Sequence, residues 1–432
     1  METVNYGEFS LALHERLQTD RYPSNGTIEV TRRCPLTCSH CYNNLPMGDH
    51  EARLSELTLE EHCRILDEIA EAGCLWLLFT GGEIFARKDF LDIYTYAKRK
   101  GFLITLFTNG TLLTPQIADY LSEWRPFNIE ITLYGRTRET YEKLTGIPGS
   151  FDKCIRGIEL LMERGLPFSL KSVAVTVNRH EIWAMKRYAE DDLGVAFKFD
   201  ALMSPRIDCS QSPLGVRLTP EETVELDLQD EKRVSEWKKF AERFGGPVNR
   251  GEHSEEVYHC GGGLNSFAID PQGRMSICVL SHQDTYDLRR GNFLDGWNDF
   301  LFKVRRRKMS LETKCVRCEI KAMCGMCPAN GELESGHAEK PVDYLCQVAH
   351  LRAQSFDIEI PVHGDCEYCE GGAGHEELMR SVVQLRKRGQ SRAVNAQTRS
   401  RYLPVMSASV EGTSSDAATS CGSGGCSSCS AH

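Results

Sequence analysis

The first half of the chain alternates between short apolar segments and longer amphipathic segments. The short segments have the length of strands, whereas the longer segments carry apolar residues at helical spacing, as Leu59, Leu66 and Ile69 do. Strands that alternate with helices indicate βαβ units and a parallel sheet. The pattern predicts strands at 27–31, 75–80, 102–107, 127–133, 169–177 and 195–199, and helices at 57–72, 89–98, 115–122, 151–164 and 181–191.

This pattern places the chain in the α/β class. Near-continuous apolar strands are typical of a sheet that is covered on both faces. We prefer a partial (βα)6 TIM-like barrel, and an open doubly wound sheet is the alternative that periodicity alone does not separate from it. In both folds the functional residues gather at the carboxyl ends of the strands. The residues that follow each strand are therefore the candidates for a site.

The regular alternation ends near residue 200. A loop is predicted at 204–218, charged helices at 220–244 and a hairpin at 260–279. The segment 309–370 is polar and rich in cysteine, and we expect a segment of this kind to need metal in order to fold. The predicted organisation is an N-terminal extension (1–25), a partial barrel (26–205), bridging helices (206–255), a small cysteine-rich domain (256–375), and a basic, then Ser/Gly/Cys-rich, largely disordered tail (376–432).

The composition narrows the class of protein further. The chain has 432 residues, 19 of which are cysteine, and a formal net charge of −10. It contains no apolar run of transmembrane length, and its polar, acidic N-terminus is unlike a signal peptide. These features predict a cytoplasmic protein without a membrane partner, in which reduced cysteines serve metal or redox chemistry rather than disulfides. The acidic balance argues against a nucleic-acid partner.

The tightest group of cysteines follows the first predicted strand. Cys34, Cys38 and Cys41 are separated by three and two residues. Three thiolates on a short loop can hold three corners of a [4Fe–4S] cluster, and without a fourth cysteine nearby one iron stays open to a small molecule. A structural zinc site usually needs four ligands. His40 is available as a fourth, but its place between two of the cysteines makes joint tetrahedral ligation awkward.

This spacing, with an aromatic ring before the last cysteine, resembles the radical S-adenosylmethionine (SAM) superfamily. In that family the open iron is chelated by the amino and carboxylate groups of SAM. Gly81-Gly82-Glu83 ends the second strand and resembles the family's GGE motif, although Ile84 stands where a proline is usual. The resemblance covers residues 25–205. It implies that Gly81, Gly82 and Glu83 receive the SAM ammonium group, that Thr132 and Asn178 meet the ribose, that His40 stacks on the adenine, and that Tyr42 backs the cluster loop.

The later cysteines run Cys260-x12-Gly273-x4-Cys278, then Cys315-x2-Cys318-x5-Cys324-x2-Cys327, and then Cys346. This pattern resembles the seven-cysteine SPASM extension of radical SAM enzymes. That extension carries two auxiliary [4Fe–4S] clusters. The spacing between Cys324 and Cys327 is one residue shorter than usual. A pair of zinc knuckles is the alternative interpretation of the CxxC pairs. The resemblance implies one cluster on Cys315, Cys318, Cys324 and Cys346, and a second on Cys260, Cys278 and Cys327.

The second of these clusters lacks an evident fourth ligand. Some family members have a cysteine where Ser254 stands. His259 or a more distant cysteine is an alternative ligand, and an open iron that binds a substrate atom is another.

The other cysteines fall outside the resemblance. Cys366 and Cys369 either cap an open cluster, bind a separate metal or have no role. Cys209 is a candidate catalytic residue as a radical hydrogen donor, and loop structure is the alternative. Flexible flanks can carry the three tail cysteines to a cluster or a metal, and these are Cys421, Cys426 and Cys429. Three other cysteines are predicted to be small buried packing residues, namely Cys63, Cys74 and Cys154.

The resemblance implies reductive cleavage of SAM to a 5′-deoxyadenosyl radical, which abstracts hydrogen from a substrate. The favoured substrate is a ribosomally made peptide or protein that is crosslinked or oxidised. Only a short segment precedes the first strand, so a separate leader-recognition protein is expected, together with an electron donor of the flavodoxin or ferredoxin type. The alternatives are a small molecule such as a tetrapyrrole or a sugar-like precursor, or a non-catalytic iron–sulfur electron-transfer scaffold. The Gly81–Glu83 motif argues against the scaffold.

Overall fold

The computed structural model describes Ser10, Leu13 and residues 21–244, 255–361 and 365–400. Ser254 and the tail cysteines Cys421, Cys426 and Cys429 lie outside the described residues. Within them, no helix combines the length and apolar character needed to cross a membrane. The strands, in chain order, are β1 (Asn25–Glu29), β2 (Arg33–Cys34), β3 (Leu45–Pro46), β4 (Trp76–Thr80), β5 (Leu103–Thr108), β6 (Asn128–Thr132), β7 (Phe168–Val173), β8 (Phe197–Asp200), β9 (Ser266–Ile269), β10 (Arg274–Ser276) and β11 (Tyr286–Asp287).

Six of these strands form a parallel sheet in which each strand pairs with the next one along the chain. The order is β1-β4-β5-β6-β7-β8. A doubly wound sheet reverses its strand order at a switch point, and this sheet does not. Within the described residues the last strand, β8, does not pair back to close the ring. The partial (βα)6 barrel is therefore confirmed, and the doubly wound alternative is excluded.

Helices connect the barrel strands, and further helices follow the last barrel strand along the chain. Threonines cap several of them, and Thr58 and Glu61 form a reciprocal capping box at the start of the helix Leu59–Glu71. The helix predicted at 181–191 is interrupted, because Ile182–Arg187 continues into a wider turn at Tyr188–Asp192. The main helices are His50–Ser55, Leu59–Glu71, Phe90–Arg99, Pro115–Glu123, Arg138–Thr145, Ser150–Glu163, Ile182–Arg187, Pro220–Leu228, Glu231–Phe244, 293–305, Pro328–Ser335, Asp343–Ser355 and His375–Ser400.

The predicted hairpin extends the barrel sheet on its other side. β9 pairs in parallel with β1, and β10 pairs antiparallel with β9. Phe267 and Met275 of the hairpin are buried in the same core as Ile28 of β1. Residues 266–276 thus belong to the barrel's sheet and core, although the sequence assigns them to the cysteine-rich domain.

Strand β6 alternates between an apolar outer face and an inner face that carries charge. Ile129 and Ile131 of β6 are fully buried against the helices, and Glu130 lies between them on the other face. Glu130 pairs with Lys198 at 2.9 Å and with Lys171 at 3.5 Å. The interior of the barrel therefore carries buried charge, which the apolar appearance of the strands did not predict.

A second core joins the bridging helices to the C-terminal helices. The Asp227 carboxylate forms an ion pair with the Arg352 guanidinium at 2.9 Å, and both side chains are almost completely buried. The helix His375–Ser400 packs into this core through Leu378, Val382 and Leu385, which are at most 5% exposed. Residues 375–400 are thus helical where the predicted disordered tail begins, while residues 401–432 lie outside the described residues.

Candidate functional site

The three cysteines of the first group lie in a buried loop at the carboxyl edge of the barrel. Cys34 does not directly follow the first strand, since it belongs to the short strand β2, which pairs with β3. Cys34 and Cys38 are 8% and 9% exposed, and Cys41 is half-buried. The surrounding residues are apolar and include Leu36, Leu144, Val173 and Met203. This pocket excludes water from the thiols and brings the three cysteines together, as their spacing predicts.

The electrostatics of this loop favour metal-bound thiolates over free ones. Burial raises the pKa of Cys34, Cys38 and Cys41, and the neighbouring thiols raise those of Cys34 and Cys38 further. A metal cluster compensates buried thiolates directly, because ligation replaces the proton. Two donors already approach the Cys34 sulfur, the Leu36 amide at 3.4 Å and the Asn109 side-chain nitrogen at 3.5 Å. The donor set therefore fits a [4Fe–4S] cluster.

The Gly81–Glu83 segment is hydrogen-bonded to the start of the cysteine loop. The Gly82 amide donates to the Thr31 carbonyl at 2.7 Å, and the Glu83 amide donates to the Arg33 carbonyl at 3.0 Å. Gly81 has φ +143, and a Cβ at this position would lie 2.1 Å from the Thr31 oxygen. Only glycine fits there. Gly81 thus lets the two loops approach each other, while the contact with SAM remains a prediction.

The Glu83 carboxylate is buried close to the end of β5, and three donors hold it. It accepts hydrogen bonds from the Thr108 hydroxyl at 2.8 Å, the Asn109 amide at 2.8 Å and the Phe85 amide at 3.2 Å. Burial raises its pKa to about 7, against the effect of these donors. The sequence interpretation gave no role to Asn109, which here contacts both Glu83 and Cys34. Its place directly after a strand is the signal that identifies it.

His40 and Tyr42 flank Cys41 in very different environments. The His40 ring is 3% exposed and lies 5.2 Å from the Tyr134 ring. Burial lowers the His40 pKa to about 4, so the ring is neutral near pH 7. Tyr42 points towards β1, where its hydroxyl donates to Glu29 at 2.8 Å. This bond ties Tyr42, and with it the cysteine loop, to β1, while its role behind a cluster remains a prediction.

The side chains of the two candidate ribose-binding residues, Thr132 and Asn178, lie in different surroundings. Thr132 is the last residue of β6 and is 7% exposed. Asn178 is fully buried, and its amide oxygen accepts the Val175 amide while its nitrogen donates to the carbonyls of Val173 and Tyr134. These bonds close the turn after β7. A ribose contact by Asn178 would have to replace one of them.

The loop after β8 reaches across to the cysteine loop. Arg206 donates to the Cys41 carbonyl at 3.1 Å and to both oxygens of Asn44 at 2.8 Å. Cys209 is exposed, and its backbone has φ 65, which is unusual for a residue with a side chain. Its sulfur lies 4.0 Å from the Glu332 carbonyl. The structure therefore places Cys209 in a tight turn at this edge of the barrel, and its catalytic role remains a prediction.

The later cysteines form two groups. Burial raises the pKa of Cys278, and the nearby thiols of Cys327 and Cys260 raise it further. Cys278 and Cys327 pack against the apolar cluster that contains Tyr42. The side chain of Tyr42 thus connects the first cysteine loop to this group. His259 precedes Cys260, and burial is the main cause that lowers its pKa to about 4. The other four cysteines, which line a single pocket together with Lys314 and Lys321, are Cys315, Cys318, Cys324 and Cys346.

The cysteines predicted to be simple packing residues do pack in this way. Cys154 is fully buried beside Tyr141, and burial raises its pKa to about 12. Cys74 is 7% exposed, and its thiol lies 3.5 Å from the Ser24 carbonyl. Cys63 is half-buried on the helix Leu59–Glu71.

Known proteins resemble this chain over most of its length. Residues 28–189 match the Radical SAM superfamily. An AdoMet-dependent heme synthase from Methanosarcina barkeri is 26% identical over 348 residues, which cover 73% of this chain and 93% of that protein. The antilisterial bacteriocin subtilosin biosynthesis protein AlbA from Bacillus subtilis is 24% identical over 324 residues, which cover 72% of this chain and 68% of that protein.

A solved structure with the same fold is SuiB from Streptococcus suis bound to the precursor peptide SuiA. The TM-score is 0.61 at 16% identity, with coverage of 80% of this chain and 82% of that chain. At this identity the likeness concerns the fold alone. It agrees with the partial barrel described above.

Proposed function

We propose that this chain, whose residues 28–189 match the Radical SAM superfamily, is a SAM-dependent radical enzyme that modifies a ribosomally made peptide or protein by crosslinking or oxidation. The observation that carries the proposal is the buried loop of Cys34, Cys38 and Cys41 beside Glu83 at the carboxyl edge of a partial barrel. This edge is where α/β barrels place their active sites. An electron-transfer scaffold would have no use for the Glu83 carboxylate there.

The residues of the site would have three roles: to hold the cluster, to orient SAM and to exclude water. Cys34, Cys38 and Cys41 would hold a [4Fe–4S] cluster, which with SAM supplies a 5′-deoxyadenosyl radical for hydrogen abstraction. Glu83 would accept the SAM ammonium group, because its carboxylate is oriented by Asn109 and Thr108. The apolar wall around the cysteines would keep water from the reacting atoms.

Two auxiliary [4Fe–4S] clusters form part of the proposal. The pocket lined by Cys315, Cys318, Cys324 and Cys346 offers four thiols, the number that such a cluster binds. The group of Cys260, Cys278 and Cys327 offers three more beside Tyr42. These clusters would carry electrons between the substrate and an external donor of the flavodoxin or ferredoxin type.

The peptide substrate is supported by the relatives and by the charges at the barrel edge. AlbA is named for bacteriocin biosynthesis, and SuiB was solved with a precursor peptide. A tetrapyrrole carries several carboxylates, which arginines usually bind. At this edge Arg206 already contacts Asn44, and Arg217 pairs with Glu334 at 2.8 Å. These contacts leave those two arginines less suited to a polycarboxylate.

A tetrapyrrole remains the second candidate substrate. The observation that favours it is the heme synthase from Methanosarcina barkeri, which the alignment covers over 93% of its length.

The first test asks whether the enzyme cleaves SAM. The protein is reconstituted anaerobically with iron and sulfide and then given SAM and dithionite, and 5′-deoxyadenosine is measured by mass spectrometry. Wild type and Cys63→Ala should form 5′-deoxyadenosine, whereas Cys38→Ala should not. If wild type binds its full complement of iron and still forms none, the enzyme proposal fails.

The second test separates the two substrates. Short peptides encoded next to the gene and iron coproporphyrin III are each supplied in deuterated form. Transfer of deuterium into 5′-deoxyadenosine from a peptide supports the proposal. Transfer from the porphyrin alone assigns the enzyme to tetrapyrrole chemistry.

A further inference from the structure

Three potential metal ligands lie together at one wall of the four-cysteine pocket, whose lining includes two of them, and the proposed function gives them no role. They are the imidazole of His350 and the thiols of Cys366 and Cys369, and all three side chains are buried. Their ligand atoms lie within 4.8 Å of one another. We propose that His350, Cys366 and Cys369 bind a single Zn²⁺ ion, separate from the cluster sites.

The spacing of the three ligand atoms matches one tetrahedral ion. The His350 Nε2 atom lies 3.5 Å from the Cys366 sulfur and 3.7 Å from the Cys369 sulfur. With Zn–S near 2.3 Å and Zn–N near 2.0 Å, a tetrahedral angle gives a nitrogen–sulfur separation of about 3.5 Å. The three residues would therefore need little movement to ligate zinc. A tetrahedral Zn²⁺ ion needs a fourth ligand, which water would supply here, as it does in zinc sites with three protein ligands.

The orientation of the His350 ring is already fixed for ligation. Its Nδ1 atom lies 2.8 Å from the Cys346 carbonyl oxygen. A carbonyl can only accept, so Nδ1 carries the proton and the lone pair of the neutral ring is on Nε2. Histidines that bind metal usually make this kind of second hydrogen bond. The lone pair therefore faces the two thiols.

The turn that carries the two cysteines is compact. The Cys369 amide donates to the Cys366 carbonyl at 3.2 Å, and the Gly372 amide donates to the Cys369 carbonyl at 2.9 Å. A Cβ on Gly372 would lie 2.5 Å from the carbonyl oxygens of both Cys366 and Glu367, so the turn requires glycine there. Glu367 in turn pairs with Lys314 at 2.6 Å. The turn is thereby held against the cysteine-rich segment.

Two arguments separate this site from the neighbouring cluster pocket. His350 and Cys366 also line that pocket, but its other four cysteines are a complete set for a [4Fe–4S] cluster, which does not need the Cys366 thiol. In addition, two thiolates and a neutral imidazole balance the charge of one Zn²⁺ ion at a buried position. His350 follows Cys346 by one helical turn. The zinc would thus fix the helix that presents Cys346 to the cluster pocket.

Metal analysis of the anaerobically purified holoenzyme tests this proposal. Zinc and iron are counted per chain, and zinc-edge X-ray absorption measures the ligand shell of the wild type. We expect one zinc with two sulfurs at about 2.3 Å and one histidine nitrogen at about 2.0 Å. The variant Cys366→Ser/Cys369→Ser should lose the zinc and keep its iron, and Cys63→Ser should keep both.

Two outcomes would overturn the proposal. One is a wild-type protein that binds no zinc after incubation with Zn²⁺, or binds it only in an all-sulfur shell. The other is a double variant that loses iron while zinc is unchanged, which would assign the cysteines to a cluster. The absorption measurement uses the wild type alone, so its result does not depend on whether the variant folds. Neither outcome bears on SAM cleavage by the first cysteine group.

Discussion

The side-chain nitrogen of Asn109 lies 3.5 Å from the sulfur of Cys34, while the backbone amide of Asn109 donates to Glu83 at 2.8 Å. One residue at the end of β5 therefore orients both a cluster ligand and the proposed SAM acceptor. These two roles use different atoms. Substitution of the side chain removes the first role and leaves the second in place.

The variant Asn109→Ala should lower the reduction potential of the SAM-binding cluster. Hydrogen bonds to cluster sulfurs raise the potential. Loss of one bond of about 1 kcal/mol corresponds to a shift of roughly 40 mV for one electron. Redox titration followed by electron paramagnetic resonance measures the shift. Thr111→Val is the matched control, because Thr111 contacts only the oxygen of Asn109. An unchanged potential in Asn109→Ala would contradict a role for this bond.

The Glu29 carboxylate should be a major determinant of stability in the cysteine loop. It accepts the Tyr42 hydroxyl at 2.8 Å and the Asn43 amide at 2.6 Å, and it pairs with Arg32 at 3.2 Å. Glu29→Ala removes the acceptor of the Tyr42 hydroxyl and the Asn43 amide and leaves Arg32 with the more distant Asp270 at 3.8 Å, and it should reduce the free energy of unfolding by about 3 kcal/mol. Tyr42→Phe removes one hydrogen bond and should cost about 1 kcal/mol.

Anaerobic denaturant titration compares these variants. The control is Glu60→Ala, since Glu60 is exposed at the start of a helix. Equal losses in Glu29→Ala and Glu60→Ala would show that the buried network contributes nothing.

The contact between Gly81 and Thr31 should be essential for assembling the first metal site. In Gly81→Ala the new methyl group would overlap the Thr31 carbonyl, which lies 2.1 Å from the ideal Cβ position. We expect the variant to lose about four irons per chain, the content of one cluster. Gly149→Ala is the control, because Gly149 also has a positive φ of 77 but faces open space. Iron analysis after reconstitution decides the matter, and a full iron content in Gly81→Ala would refute the expectation.

The sequence predicted the parts of the fold that depend on local pattern. Strand and helix periodicity located the six barrel strands, and cysteine spacing located the loop of Cys34, Cys38 and Cys41. The helix Arg138–Thr145 was missed because it is short and mostly polar. The helix His375–Ser400 was not predicted, because charged residues separate its apolar positions, although these have helical spacing.

Sequence patterns do not predict contacts between distant segments of the chain. Asn109 is 75 residues from Cys34, and nothing in the spacing links them. His350 shares a helix with Cys346, but its contact with Cys366 and Cys369 depends on how the following turn folds back. The parallel pairing of β6 with β7 brings Glu130 and Lys171 together inside the barrel. Each of these relationships becomes visible only when the tertiary structure is known.

Lys171 should make the stability of the protein depend on pH. Burial lowers its pKa to about 7, although Glu130 opposes the effect and Lys198 adds to it. In the unfolded chain a lysine has a pKa of about 10.4. The folded state therefore binds fewer protons between these values, and the destabilising effect of Lys171 is complete below pH 7 and disappears as the pH approaches about 10.4.

Lys171→Met should consequently stabilise the protein most at pH 6 and lose this advantage steadily between pH 7 and 10. Lys198 still pairs with Glu130 at 2.9 Å in the variant, so the carboxylate keeps a cationic partner. Denaturant titrations at pH 6, 8 and 10 measure the difference in unfolding free energy between variant and wild type. Lys88→Met is the control, since Lys88 is exposed. A Lys171→Met difference that is constant across this range would mean that Lys171 keeps its proton inside the barrel, where the pairing with Glu130 would then outweigh the cost of burial.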